Sequence, residues 1–259
     1  MERAKEIKQI HHVSFSGGGV KGISYIGILK ALQEYSVPQH VKSWTGVSIG
    51  SLFALLGCLN IPWKYILNEA IQLDYNNLVD IDIHGFFDTQ GIIKGKQIDQ
   101  LILKATKHKI THKTTFQELH KLTNKILYIV AYSIDKEKSF MFSVTHTPDI
   151  CILDAIKASC SVPIFLPPKI ISGKSYYDGG LLETAAISHL PSLGTVVWNI
   201  EGDNPHKEGI FNDFKILKII TSLRNIILKT KDNSEYIIYK AVSEERDNFL
   251  NFSITRNEI

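Results

Sequence analysis

Residues 46–50, Gly46-Val47-Ser48-Ile49-Gly50, set one hydroxyl between two glycines, and the chain on either side decides how they fold. Ahead of them, 41–45 (VKSWT) predicts a short central strand. Behind them, 51–59 (SLFALLGCL) is nearly all apolar and reads as a helix that Asn60-Ile61-Pro62 brings to a stop. The stretch before it repeats the plan: 12–16 predicts a strand, Gly17-Gly18-Gly19 a turn, and Ile23, Ile26, Leu29 and Leu32 recur at near-helical spacing up to Tyr35. Two successive strand–turn–helix units predict an α/β fold in three layers, a mostly parallel central sheet with helices on both sides.

Further out, 64–124 reads mostly as helices and loops punctuated by Gly85, Gly91 and Gly95, and 125–132 (KILYIVAY) as a strand with 139–145 for a neighbour. A helix over 152–159, a strand leading into Asp178, and strands at 195–200 and 237–242 follow, with a further strand pattern at 249–254. Between 210 and 229, Phe214, Leu217, Ile220, Leu223 and Ile227 share one helical face and Lys218, Thr221, Arg224 and Asn225 the other. That pattern suits a helix packed on the sheet or one lying on a membrane.

The 259 residues are 44% hydrophobic and 21% charged, enough to bury a large core, and 1–259 is expected to form a single domain. A net charge of +3, not gathered into a stripe, argues against a nucleic-acid partner. The most basic stretch, Lys104 to Lys125, carries six lysines against Glu118 alone; it suits a solvated helix and loop or a weak attraction for anionic lipid. The 21 uncharged positions from Ser43 to Trp63 are long enough for a bilayer span, but they include three glycines, three serines and Pro62, and a span would put the Ser48 turn in lipid. A buried core segment is expected instead. Cys58, Cys151 and Cys160 have no metal-ligand spacing, and His108 and His112, four apart, lack the Glu of a zinc protease. No apolar core of a secretory signal stands in MERAKEIKQIHHVSF. Reduced thiols, no metal, no cofactor and a cytoplasmic location, at most peripheral to membranes, are the expectations.

Three motifs carry chemistry. A serine in G-x-S-x-G on a sharp strand-to-helix turn is a nucleophile candidate, here Ser48 between Gly46 and Gly50. Gly17-Gly18-Gly19-Val20-Lys21-Gly22 also fits a dinucleotide fingerprint, but no acid lies between Glu34 and Glu69 to take the ribose hydroxyl. Glycine N–H groups at a helix start instead suit a developing oxyanion, and parallel strands put both turns at one sheet edge. Serine at its free pKa needs a base, and Asp178-Gly179-Gly180 offers an acid on a glycine turn.

With these three motifs in this order, residues 10–185 resemble the patatin-like phospholipases. Thr115–Ile134 and Ala155–Pro168 match supporting blocks, and the likeness is less clear over 186–259. Ser16 stands where many plant members have Asp before the glycines. The resemblance implies a three-layer α/β/α core and a Ser-Asp dyad hydrolysing acyl esters of phospholipids or related lipids. Carried onto this chain, Ser48 is the nucleophile, Asp178 the general base and the Gly18 and Gly19 N–H groups the oxyanion hole; Gly17, Val20, Lys21, Gly22, Gly46, Gly50, Gly179 and Gly180 complete the motifs. Lys21 either strengthens the positive field and meets a lipid phosphate or points to solvent. A lipid or phospholipid at a membrane or micelle surface is the expected partner, with no transmembrane span. Two other readings stay open: a non-catalytic lipid-binding or effector protein on the same scaffold, and a soluble esterase whose triad is completed by His189 or His206.

Overall fold

The computed structural model describes residues 10–73, 97–183, 185–186, 190, 194–201 and 237–242. Strands β1 (His12–Phe15) and β2 (Ser43–Val47) alternate with helices α1 (Tyr25–Glu34) and α2 (Ile49–Cys58), followed by α3 (Trp63–Gln72). Helices α4 (Ile98–Ala105) and α5 (Phe116–Thr123) lead into the hairpin β3 (Ile126–Ser133) and β4 (Lys138–Phe142). Helix α6 (Ile152–Cys160) precedes a second hairpin, β5 (Lys169–Ile171) and β6 (Lys174–Asp178), and β7 (Thr195–Glu201) and β8 (Ile237–Val242) close the described chain.

The strands form one sheet in the order β5-β6-β3-β2-β1-β7-β8, with β4 also paired to β3. Its middle and one flank are parallel (β3, β2, β1, β7 and β8), whereas β4 and β6 run antiparallel to β3, and β5 antiparallel to β6. This α/β sheet, flanked by helices, is mostly parallel as expected, and the antiparallel β4 and β6 make it mixed. Connection length explains the difference, because a turn of a few residues can join only antiparallel neighbours. β5 and β6 meet through Ser172 and Gly173, both at positive φ (51 and 75), the two-residue turn that matches strand twist. β5 is absent from the sequence reading, since three residues behind Pro167-Pro168 are too short to show alternation.

The expected register of β2 shifts by two residues: it spans Ser43–Val47, all five buried, and runs up to Ser48. Its Trp44 is fully buried under α2, where a Cβ on Gly57 would come within 2.5 Å of the indole Cε3, so the missing side chain lets helix and strand approach. Phe15 of β1, Tyr25 of α1 and Phe53 of α2 interlock beside it at ring separations of 4.8–6.4 Å. All six helices contribute to this one core, and Val47, Val130 and Ala186 form a second, smaller cluster, fed by the strand residues that alternate to the opposite face. The uncharged stretch from Ser43 therefore supplies a core strand and helix. Among the described residues no helix is long and apolar enough to cross a membrane. Gly85, Gly91, Gly95, the 210–229 pattern, the 249–254 pattern, His189 and His206 lie outside the described residues.

Candidate active site

β1 and β2 end level, with Phe15 opposite Gly46, so the glycine turns that follow leave the same edge of the sheet. Ser48 occupies the corner between β2 and α2 at φ 53, ψ −129. That left-handed conformation costs a non-glycine residue about 1–3 kcal/mol and persists only where neighbours over-determine it. Here the neighbours are backbone. A Cβ on Gly46 would overlap the Gly50 carbonyl, so Gly46 lets the elbow fold tightly back on itself, and one on Gly50 would come within 2.5 Å of the Ser16 carbonyl oxygen, so Gly50 lets it sit hard against the end of β1.

The first glycine turn wraps this elbow. A Cβ on Gly17 would lie 3.3 Å from Ser48 Cβ, and one on Gly22 2.5 Å from Ile49 Cγ1. Residues Gly19–Ser24 do not remain a loose loop but wind as a 3-10 turn ahead of α1, and Lys21 N–H donates back to Gly18 C=O at 3.2 Å. Gly18 and Gly19 stand at its start, where N–H groups have no partner inside the helix; among the described residues neither meets an acceptor. Ser16 is buried; its Oγ donates to Gly17 C=O (2.9 Å) and lies 2.8 Å from the Tyr25 hydroxyl. Burial pushes the Tyr25 phenol well above its ordinary range, so two neutral hydroxyls stand ahead of the glycine turn. Lys21 is partly buried and forms no ion pair among the described residues.

The acid arrives from the other direction. β2 pairs with β3 as far as Val47 opposite Val130, and β6 pairs with the next residues, Asp178 lying opposite Ala131. β4 already covers the other edge of β3 over residues 129–133, so β2 and β6 share one edge and meet end to end. A Cβ on Gly179 would overlap the Val130 carbonyl and sit 3.2 Å from Val47 Cγ1, and this tight fit brings the Asp178 turn against the elbow. Asp178 is 5% exposed; its Oδ1 accepts the Gly180 N–H at 2.7 Å, and its N–H donates to Ser161 C=O at 2.8 Å.

The end of α6 is a component that sequence reasoning missed, having used 155–168 only as family likeness. Ser159 Oγ accepts the Ser48 N–H at 2.8 Å and donates to Val130 C=O at 2.6 Å. Burial first, then the charge of Asp178, pushes the Cys160 thiol up to about 12, which keeps it protonated and a poor nucleophile. The available signal was local, two serines around a cysteine, but the partners of the Ser159 hydroxyl, Ser48 and Val130, lie 111 and 29 residues away in the chain.

Other candidate residues fall elsewhere. His108 and His112 lie in the loop between α4 and α5 rather than on a helix, and His112 Nδ1 is 3.9 Å from Asp99 Oδ2. Lys125 directly precedes β3, whose first residue pairs with the first residue of β2, so it sits at the sheet edge opposite Ser48. Lys109 Nζ caps the end of α2 through Leu59 C=O (3.1 Å), and Lys104 pairs with Glu69 at 2.7 Å. These lysines of the basic stretch serve local packing and helix ends.

The chain is 27% identical over 177 residues to an uncharacterized protein of Acanthamoeba polyphaga mimivirus and 29% identical over 178 residues to a probable lipid hydrolase of Invertebrate iridescent virus 6. The matches cover 66% and 64% of this chain and 58% of each relative, so the chain spans less than two thirds of their length. Among solved structures, VipD from Legionella pneumophila aligns at TM-score 0.61 and 17% identity, covering 93% of this chain and 62% of that one, a likeness of fold. The patatin-like phospholipase sequence profile matches residues 13–190, a span that begins in β1 and takes in both glycine turns, the Ser48 elbow, the end of α6 and the Asp178 turn. By that match, and with those motifs meeting at one sheet edge, the chain belongs to the patatin-like phospholipase family.

Proposed function

We propose that the protein is a serine acyl hydrolase that cleaves ester-linked acyl chains of phospholipids or related lipids through Ser48 and Asp178. The observation that carries this reading is the end-to-end meeting of β2 and β6 on one edge of β3, with Gly17 packed on Ser48. The ester carbonyl sits over Ser48 with its oxygen toward the Gly18 and Gly19 N–H groups. Ser48 Oγ attacks the carbonyl carbon while Asp178 takes its proton, and the charge that develops is met by those two donors. Collapse breaks the ester bond, returns the proton to the departing alcohol or lysolipid, and leaves an acyl group on Ser48. Water then repeats the sequence with Asp178 again the base.

A carboxylate is a weak base for a hydroxyl, so the oxyanion donors carry much of the rate. We further propose that the substrate is taken at a membrane or micelle surface, and that the enzyme works in the reducing cytoplasm, which suits its three free cysteines. The test is covalent labelling with a long-chain fluorophosphonate. The adduct is expected on the peptide carrying Ser48 and absent from S48A; an adduct mapped elsewhere, with full ester hydrolysis by S48A, removes the assignment.

A further inference from the structure

Ser48 is held in a left-handed conformation at the start of α2, where its N–H points away from the helix ladder and, being buried, must find an acceptor. That acceptor is not the neighbouring strand. Ser159 places its hydroxyl between the two backbones, accepting from Ser48 N–H at 2.8 Å and donating to the Val130 carbonyl at 2.6 Å. Val130 is the last residue of β3 to face β2, and at the next residue β6 takes over with Asp178. The hydroxyl therefore stands where the nucleophile strand leaves the sheet and the strand of the base arrives. Two residues on, Ser161 C=O accepts the Asp178 N–H at 2.8 Å, so two residues at the end of α6, Ser159 and Ser161, hold both backbones. Ser159 is fully buried, and its hydroxyl donates to Val130, leaving its lone pairs to receive Ser48.

We propose that Ser159 is a positioning residue for the nucleophile: its bridge between Ser48 N–H and Val130 C=O fixes the strained elbow so that Ser48 Oγ stays in line with the oxyanion donors and with Asp178. The inference rests on the hydrolase reading above and deepens it. Ser159 touches no substrate atom. Without its oxygen, Ser48 N–H and Val130 C=O lose their shared partner, and the elbow gains room to relax toward an ordinary helical or extended backbone. Such a shift changes the attack geometry and leaves the lipid-binding surface intact, so its mark is a fall in kcat at constant KM.

The experiment compares S159A with wild type in steady-state ester hydrolysis and in amide hydrogen exchange of the peptide containing Ser48. S159A is expected to lose about 10- to 100-fold in kcat with KM within roughly threefold, and its Ser48 amide to exchange at least about tenfold faster. S159C, which keeps the volume but is a poorer hydrogen-bond partner, shows a smaller loss of the same kind. T106V removes a fully buried hydroxyl that, among the described residues, bonds only within the end of α4, at Ile102 C=O and Leu103 C=O, and serves as the control for general destabilisation. It is expected to lower Tm while holding kcat within about twofold. A kcat for S159A within threefold of wild type, an equal kcat loss in T106V, or unchanged exchange at Ser48 each overturns the proposal. The exchange arm decides even where wild type neither hydrolyses esters nor takes up phosphonate, the result by which the hydrolase reading itself fails.

Discussion

Gly179 follows Asp178 and marks the point where β6 meets the elbow, so adding one methyl group there tests whether the meeting of the two strands makes the site. A Cβ at this position would lie 2.9 Å from the Val130 carbonyl carbon, closer still to its oxygen, and 3.2 Å from Val47 Cγ1. Non-bonded carbons rest at about 3.5–4.0 Å, so the turn must withdraw from β3 by at least roughly 0.6 Å. The contact is with backbone in the middle of the sheet, which gives little, and the displacement falls on Asp178. A shift approaching 1 Å at a reacting group costs on the order of 100-fold, so G179A is expected to lower kcat by about 10- to 100-fold. Overpacking of this kind costs about 1–3 kcal/mol of stability, small enough for a folded protein. Gly27 is the matched control: it lies in the first turn of α1 and a Cβ there meets nothing within 4 Å. G27A should gain about 0.5–1 kcal/mol from better helix propensity and keep its turnover. The assay is hydrolysis of a chromogenic acyl ester with fold checked by circular dichroism. A folded G179A that turns over within threefold of wild type would refute the argument that contact between these strand ends sets the dyad.

Three further outcomes follow from the same geometry. D178N, matched in size but without the basic carboxylate, should lose on the order of 1000-fold in kcat, whereas H189A and H206A each keep at least about a tenth of wild-type turnover; a histidine variant as weak as D178N would restore a triad. Gly19 sits at φ 54 at the head of the 3-10 turn, so G19V should distort the donor pair and cost roughly 100- to 1000-fold while the protein stays folded, and near-normal turnover would leave the loop a purely structural role. Burial pushes the Cys58 thiol up to about 11 from an ordinary 9.0, and because the unfolded chain then releases that proton first, its contribution is whole below pH 9 and is lost as pH rises toward 11. Urea unfolding of C58A across that window should show a shallower loss of stability with pH than wild type; an unchanged slope would assign the alkaline loss to other groups.

The paired glycine turns, the strand before each and the helix behind each were legible in the chain because they rest on local chemistry. A turn at positive φ or in close backbone contact calls for glycine, and a helix buried under a sheet calls for an apolar run such as 51–59. For the same reason Ser48 and Asp178 stood out, each beside glycines that only a tight backbone requires. Tertiary structure alone decided what lies between them. That β2 and β6 share one edge of β3 depends on β4 having taken the other, a competition among strands distant in sequence that no local pattern encodes. The hairpin of β5 and β6 adds an antiparallel margin to the mostly parallel sheet, and β5 is not legible because three residues carry no period. Ser159 was equally invisible: a serine near a helix end reads the same whether its hydroxyl meets water or, as here, the N–H of a residue 111 positions away. Local propensity fixes which segments fold and where they turn, while the partners of a buried polar group are fixed only when the packed chain leaves it a single place to bond.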